Sequence, residues 1–335
     1  MTAMDELPLV LVHVLPPFEI PFKGRLQSRF QLIDSSDSTF SPHARVLLCV
    51  GPAPVSSDTL RHLPSLQCIV GSSAGVDHID LEECRRRGIT VTNAGSSFCE
   101  DGADFAIGLL IDVLRRISAA DRYVRAGLWP MKGDYPLGSK VMMPSTQCVL
   151  LRARPIGSFV SHGGKRVGIV GLGNIGSEIA KRLVAFGCRI AYNSRSKKSS
   201  VSFPYYANIC NLAANSDILI ICCALTKETH HLIDKDVMTA LGKEGVIINV
   251  GRGALVNEKE LVQCLVQGQI RGAGLDVFEN EPDVPKELFE LENVVLSPHK
   301  AIATLESLTS LQELIVGNLE AFFSNKPLLS PINLD

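Results

Sequence analysis

Ten residues constrain this chain more than any others: Val167-Gly168-Ile169-Val170-Gly171-Leu172-Gly173-Asn174-Ile175-Gly176. An apolar strand runs straight into G-x-G-x-x-G, and Ser177-Glu178-Ile179-Ala180-Lys181-Arg182-Leu183 continues as a helix. A strand that turns at once into a helix opens a βαβ unit, and so implies a parallel sheet covered by helices. Gly171 permits the tight turn, Gly173 lets a ligand approach the backbone, and Gly176 lets helix and strand close together. The helix N-terminus presents N–H groups and the positive end of its dipole to an anion. The pattern therefore predicts a dinucleotide pyrophosphate on this turn, with Leu172, Asn174 and Ile175 completing it.

The rest of the chain repeats the same alternation. Pro8–Val14, Arg45–Val50 and Gln67–Gly71 read as strands, and Ser57–Leu63 and Leu81–Arg87 as helices. Cys99–Gly127 reads as one long helix, with Leu109, Leu110, Val113, Leu114 and Ile117 at helical spacing and Asp101 and Asp104 near its start. Further strands are predicted at Lys165–Gly171, Arg189–Asn193, Asp217–Cys223, Gly245–Val250, Gly272–Val277 and Asn293–Leu296, with helices at Asn174–Gly187, Glu258–Gln267 and Glu306–Phe323. This is an α/β chain with doubly wound sheets. The stretch 142–162, with Pro144 and Pro155 and no clear period, reads as an atypical inserted loop.

Composition removes other classes. In 335 residues, 46% hydrophobic and 20% charged, there is enough apolar material for a buried core. Lys and Arg number 33 against 35 Asp and Glu, a net charge of −2, so the global basic field of a non-specific nucleic-acid binder is missing. The apolar runs 217–225 and 246–250 are strand-length, too short to cross a bilayer. The first residues are acidic where a secretory signal is basic. The ten cysteines include no C-x-x-C pair, and Cys49, Cys68, Cys222 and Cys223 read as small buried hydrophobes. A reduced, cytoplasmic protein is expected.

The ribose end of the site points to NADP(H), with NAD(H) the weaker alternative. A carboxylate that would accept from a 2′-hydroxyl is expected at the end of the second strand. Asn193 stands there instead, followed by Ser194, Arg195, Ser196 and Lys197, and no acid occurs between Glu178 and Asp217. Two cations and two hydroxyls suit a 2′-phosphate.

Three ionisable residues follow predicted strands in the last third, where open α/β sheets bind ligands: Arg252 in Gly251-Arg252-Gly253, Glu281 in Phe278-Glu279-Asn280-Glu281-Pro282, and His299 in Ser297-Pro298-His299. Singly, each is as well explained by structure. Behind a dinucleotide motif they make a carboxylate clamp, a His-orienting acid and an acid–base histidine.

With Gly71-Ser72-Ser73-Ala74-Gly75-Val76-Asp77-His78, the 171–176 turn, Asn249-Val250-Gly251-Arg252-Gly253, Gly274–Pro282 and Ser297-Pro298-His299 in this order, the chain resembles the D-isomer-specific 2-hydroxyacid dehydrogenase family. Within it, the chain is similar to the plant-type NADPH-dependent hydroxypyruvate/glyoxylate reductases. The resemblance implies two Rossmann-like domains: 1–102 with 301–335 for substrate, and 103–300 for NAD(P). It implies that Arg252, Glu281 and His299 are catalytic, that Val250 and Asp276 contact the cofactor (Asp276 at the nicotinamide carboxamide), and that backbone N–H groups of Ala74 and Gly75, with Arg252, hold the carboxylate of a small 2-oxo or 2-hydroxy acid. It also implies a homodimer.

Cys99 and Gly102 depart from the family, which commonly has Thr and Val there. Lys300 after His299 is less usual. Trp129 is expected either to pack in the core or to line a partner subunit's cleft. His230 and His231 are expected to cap a short helix, and without a third ligand at metal spacing no metal is expected. The competing activities are a D-lactate-type or phosphoglycerate-type dehydrogenase of the same family. A non-catalytic, NAD(P)-sensing, corepressor-like protein is the competing reading outside catalysis.

Overall fold

The computed structural model describes residues 7–15, 23–37, 41–136, 138–141 and 164–334, so the expected loop 142–162 lies outside the described residues. The chain divides into two compact units, Met1–Phe98 with Ala303–Asp335, and Cys99–Ile302.

The first unit runs β1 (Leu9–Val14), α1 (Lys23–Gln27), β2 (Gln31–Asp34), β3 (Val46–Val50), α2 (Ser57–Arg61), β4 (Cys68–Gly71), α3 (Leu81–Arg87) and β5 (Thr90–Thr92), and includes the late helix Leu305–Phe323. Its strands pair in parallel in the order β2-β1-β3-β4-β5. β3 and β4 are buried along their whole length, as strands covered on both faces must be. β2 and β5 escape sequence reading because they are short and half-polar.

The second unit runs α4 (Cys99–Arg115), α5 (Ile117–Arg125), α6 (Trp129–Lys132), β6 (Arg166–Val170), α7 (Asn174–Ala185), β7 (Arg189–Asn193), α8 (Ile209–Ala214), β8 (Ile218–Ile221), α9 (Lys235–Leu241), β9 (Val246–Asn249), α10 (Glu258–Val266), β10 (Gly272–Leu275) and β11 (Val294–Leu296). Six parallel strands lie in the order β11-β10-β9-β8-β6-β7. The chain order reverses between β6 and β8, so the ligand crevice of such a sheet falls beyond their C-terminal ends. Two apolar layers fill the two faces of this sheet. One gathers Leu110, Ile169, Leu183, Ile220 and Ile248, the other Leu219, Ile221, Met238, Ile247 and Leu261.

The single long helix expected over Cys99–Gly127 is two helices. Arg116 breaks the run with φ 57, in left-handed backbone. Ser118 N donates to Asp112 Oδ1 at 2.8 Å, so a side chain six residues back, on α4, satisfies an N–H in the first turn of α5. The Leu114 carbonyl, released from the helical ladder, accepts from Ser139 N at 2.7 Å. Trp129 is 63% exposed, which removes the core-packing alternative for it. Among the described residues, no helix is long and apolar enough to cross a membrane.

Candidate active site

At the switch point, Gly171 has φ +99, and a Cβ there would lie 2.6 Å from the Cys223 backbone. A Cβ on Gly176 would lie 2.1 Å from Gly171 O. Both positions are closed to a side chain, so turn and helix are pressed together as the sequence requires. Gly173 differs: its Cβ would meet nothing within 4 Å, and as N-cap of α7 it has no side chain to cover the helix end. This leaves an open cradle before a twelve-residue helix, and a dinucleotide pyrophosphate fits it. Cys222 Sγ donates to Gly171 O at 3.1 Å beneath the turn. Leu172 is buried, and Ile175 packs on the core near Gly102, so these two support the turn from behind. Asn174 opens α7.

At the end of β7, Asn193 Nδ2 donates to Tyr206 O at 2.8 Å and Ala207 O at 3.2 Å. Its side chain thus holds the neighbouring segment together. Ser194 Oγ donates to Ser196 O at 2.7 Å, and the Tyr192 hydroxyl accepts from Lys198 N at 2.8 Å, which shapes the loop. Arg195, Ser196 and Lys197 are exposed, with no neighbouring acid in the loop to neutralise the cations. A 2′-phosphate fits this edge better than a bare hydroxyl does.

Arg252, Glu281 and His299 all belong to the second unit, and a chain of contacts draws them together. Asn249, the last residue of β9, bonds both Gly251 N (to its Oδ1, 3.0 Å) and Arg252 O (from its Nδ2, 2.9 Å), fixing the turn that carries Arg252. Gly253 then lies so close to the next loop that a Cβ would sit 1.9 Å from Phe278 C. The glycine is what lets the Arg252 turn rest on the backbone of residues 278–279. In that loop Phe278 N donates to Glu281 Oε1 at 3.0 Å. His299 Nδ1 donates to the other oxygen, Oε2, at 2.7 Å. The imidazole is therefore held at one nitrogen by a carboxylate itself held by backbone, leaving Nε2 for chemistry. His299 and Glu281 side chains are 40% and 35% exposed, so a small solute can reach the pair.

Electrostatics matches this geometry. Partial burial pushes the Glu281 carboxyl up. The hydrogen bonds from His299 and Phe278 N and the charges of His299 and Arg252 outweigh that, and hold it below the usual glutamate range. Glu258 goes the other way: burial raises it, the bond from Glu279 N lowers it, and the nearby Glu279 and Glu281 raise it further.

Asp276 is 1% exposed. Its carboxylate accepts from Lys300 N at 2.8 Å and Ala301 N at 2.9 Å, and its carbonyl accepts from His299 N at 2.8 Å. His299 itself has φ 53, a left-handed conformation that needs such support. The contacts present tie Asp276 to the His299 loop, a role the resemblance did not supply. Val250 follows β9, with its N–H on Ile221 O at 3.1 Å. Ala74 and Gly75 lie in the first unit, in the loop after β4, where Ala74 O accepts from Asn93 Nδ2 at 3.0 Å.

His230 and His231 do not cap a helix. They end a turn, His231 with φ 51, and His231 Nε2 lies 2.7 Å from Glu279 Oε1. Glu279, the third residue, stands 48 positions away in the chain, so spacing around the two histidines carries no sign of it. Gly253 and Glu258 were likewise missed as site-shaping residues. The glycine directly after Arg252 was the available signal for close backbone approach. Burial drives the thiols of Cys49 and Cys68 up to about 12, so both are inert hydrophobes, as expected.

A dinucleotide turn at the switch point and a latched His–Glu pair beside an arginine define a nicotinamide-dependent dehydrogenase. Residues 107–301 match the NAD binding domain of the D-isomer specific 2-hydroxyacid dehydrogenases, and the chain belongs to that family. It is 53% identical to the Arabidopsis thaliana glyoxylate/hydroxypyruvate reductase HPR3 over the full length of both chains. It is 43% identical to glyoxylate/hydroxypyruvate reductase A HPR2 of the same plant, over 96% of this chain and 98% of that one. Among solved structures it resembles the NADPH-dependent glyoxylate/hydroxypyruvate reductase SmGhrB of Sinorhizobium meliloti, crystallised with NADP and malonate. The TM-score is 0.82 and the identity 36%, covering 98% of this chain and 97% of that one.

Proposed function

We propose that the protein reduces small 2-oxo acids with NADPH, taking hydroxypyruvate to D-glycerate and glyoxylate to glycolate. The observation that carries this reading is the 2.7 Å bond from His299 Nδ1 to Glu281 Oε2, which leaves Nε2 to face a carbonyl oxygen. Arg252 binds the substrate carboxylate and polarises the carbonyl next to it. His299, as imidazolium, donates its Nε2 proton to the oxygen as negative charge develops there. Glu281 keeps the ring oriented and stabilises the cation before transfer. The hydride for the carbonyl carbon is the chemistry a bound nicotinamide supplies. For that group, Gly171, Leu172, Gly173, Asn174, Ile175 and Gly176 form the pyrophosphate cradle. Ser194, Arg195, Ser196 and Lys197 receive the 2′-phosphate, and Val250 and Asp276 border the nicotinamide.

The domain roles belong to the same proposal: residues 1–102 with 301–335, including Ala74 and Gly75, serve the substrate, and 103–300 the cofactor. We place the protein in the cytoplasm as a homodimer. The exposed apolar side chains Ile117, Val124, Trp129 and Met131 on and beside α5 and α6 support a subunit interface there. The test is NADPH oxidation by the purified protein with glyoxylate and hydroxypyruvate. Turnover with both, faster than with pyruvate or 3-phosphohydroxypyruvate, is expected. Cofactor binding without turnover on any 2-oxo acid would instead favour a sensing role.

A further inference from the structure

Neighbouring side chains in extended backbone point to opposite faces, so adjacent histidines seldom serve one ligand. At His230–His231 the backbone is not extended. With His231 at φ 51, the two rings come to the same side, centroids 4.0 Å apart and planes tilted by 31°. Glu279 faces them from the loop after β10, its Oε1 2.7 Å from His231 Nε2. One ligand atom from each of the three residues lies within 4.8 Å of the other two.

The scaffold behind these side chains is fixed. His231 N donates to Ala254 O at 2.8 Å, and Glu279 N donates to Glu258 Oε2 at 3.1 Å. Glu279 is further pinned by the close approach of Gly253, whose Cβ would lie 2.3 Å from Glu279 N. Solvent reaches the cluster: His230 is exposed, and the His231 and Glu279 side chains are 32% and 27% exposed.

We propose that His230, His231 and Glu279 bind a divalent transition-metal ion of the zinc class, with water in the fourth position. Two imidazoles and a carboxylate form a zinc donor set, whereas magnesium and calcium call for oxygen ligands alone. Metal–ligand bonds of about 2.0–2.2 Å set tetrahedral donors roughly 3.3 Å apart, so the His231–Glu279 pair opens from 2.7 Å and the exposed His230 ring turns towards it as the ion binds. The ion replaces the His231–Glu279 bond and links the turn before α9 to the loop carrying Glu281. The site is separate from the Glu281–His299 pair and rests on its own geometry, whatever the substrate.

The test is a titration of the chelator-stripped, full-length protein with Co²⁺, read by absorption, and with Zn²⁺, read by calorimetry. One equivalent is expected, with nitrogen–oxygen ligand-field bands and no sulfur-to-cobalt charge-transfer band, and Mg²⁺ should not compete. His230→Ala, on the surface, should weaken binding at least tenfold, Glu279→Gln should abolish it, and His299→Ala should leave it unchanged. Wild-type affinity in His230→Ala, loss of binding in His299→Ala, a thiolate band or no binding at all would each overturn the proposal. Should Glu279→Gln fail to fold, His230→Ala decides alone.

Discussion

Replacing Glu281 with Gln removes a charge and almost nothing else. The amide oxygen can still accept from Phe278 N, now bonded to Oε1 at 3.0 Å, so the loop keeps its shape. What is lost is the charge-assisted bond to His299 Nδ1 at 2.7 Å. Such bonds contribute about 1.5–3 kcal/mol net, and each ~1.4 kcal/mol is a factor of ten in rate. Full expression would lower kcat about 10- to 150-fold. Both side chains are more than a third exposed, at 40% and 35%, and solvent screening places the effect in the lower part of that range, about 10- to 30-fold. The pH dependence separates this account from a merely structural role. The Glu281 carboxyl is held below the usual glutamate range, so wild-type activity should persist as pH falls through about 4.3 and be lost only below it. The Gln variant should lack that acid limb. The assay is the initial rate of NADPH consumption with glyoxylate across pH. A variant within twofold of wild type, or one with the same acid limb, would mean that the Glu281 charge does not support proton transfer from His299.

Arg195→Asp should shift the ratio of kcat/KM for NADPH over NADH towards NADH by at least about tenfold, since it removes one phosphate partner and adds a repelling charge; steady-state kinetics with both cofactors checks it. Gly253→Ala puts a Cβ 1.9 Å from Phe278 C and should cost about 1–3 kcal/mol of stability along with turnover, as read by denaturation and kcat. Gly173→Ala, with open space at its Cβ, should fold as wild type and show its effect in the KM for NADPH. Asp217 bonds Arg166 N and the Arg166 guanidinium, both at 2.8 Å; burial raises its carboxyl, but these partners win and hold it below the usual range. Its stabilising effect is present above the unfolded aspartate value and lost as pH falls through the folded one. Asp217→Asn should therefore lower Tm at neutral pH, and the two Tm curves should converge in acid.

The dinucleotide turn was legible because each glycine answers a local steric demand: the positive φ of Gly171, the contact of Gly176 with Gly171 O, and the open face at Gly173. The strands of the second unit were legible because burial on both faces leaves unbroken apolar runs such as Ile218–Ile221. The break at Arg116 was not, since the apolar period carries on through it. The break is held by the Asp112 side chain and by a chain segment from beyond α6, neither of which has a periodic signature. Arg252, Glu281 and His299 could each be placed after a strand. Their convergence depends on the Gly253–Phe278 approach and on Asp276 gripping the His299 loop, contacts between segments that no local pattern encodes. The His231–Glu279 pair was hidden for the same reason.

The most direct test is the turnover of His299→Ala with glyoxylate, measured beside its affinity for NADPH. Loss of the proton donor should lower kcat by about two to four orders of magnitude while the cofactor still binds as in wild type. Near-normal turnover would mean that the proton reaches the carbonyl oxygen from another group.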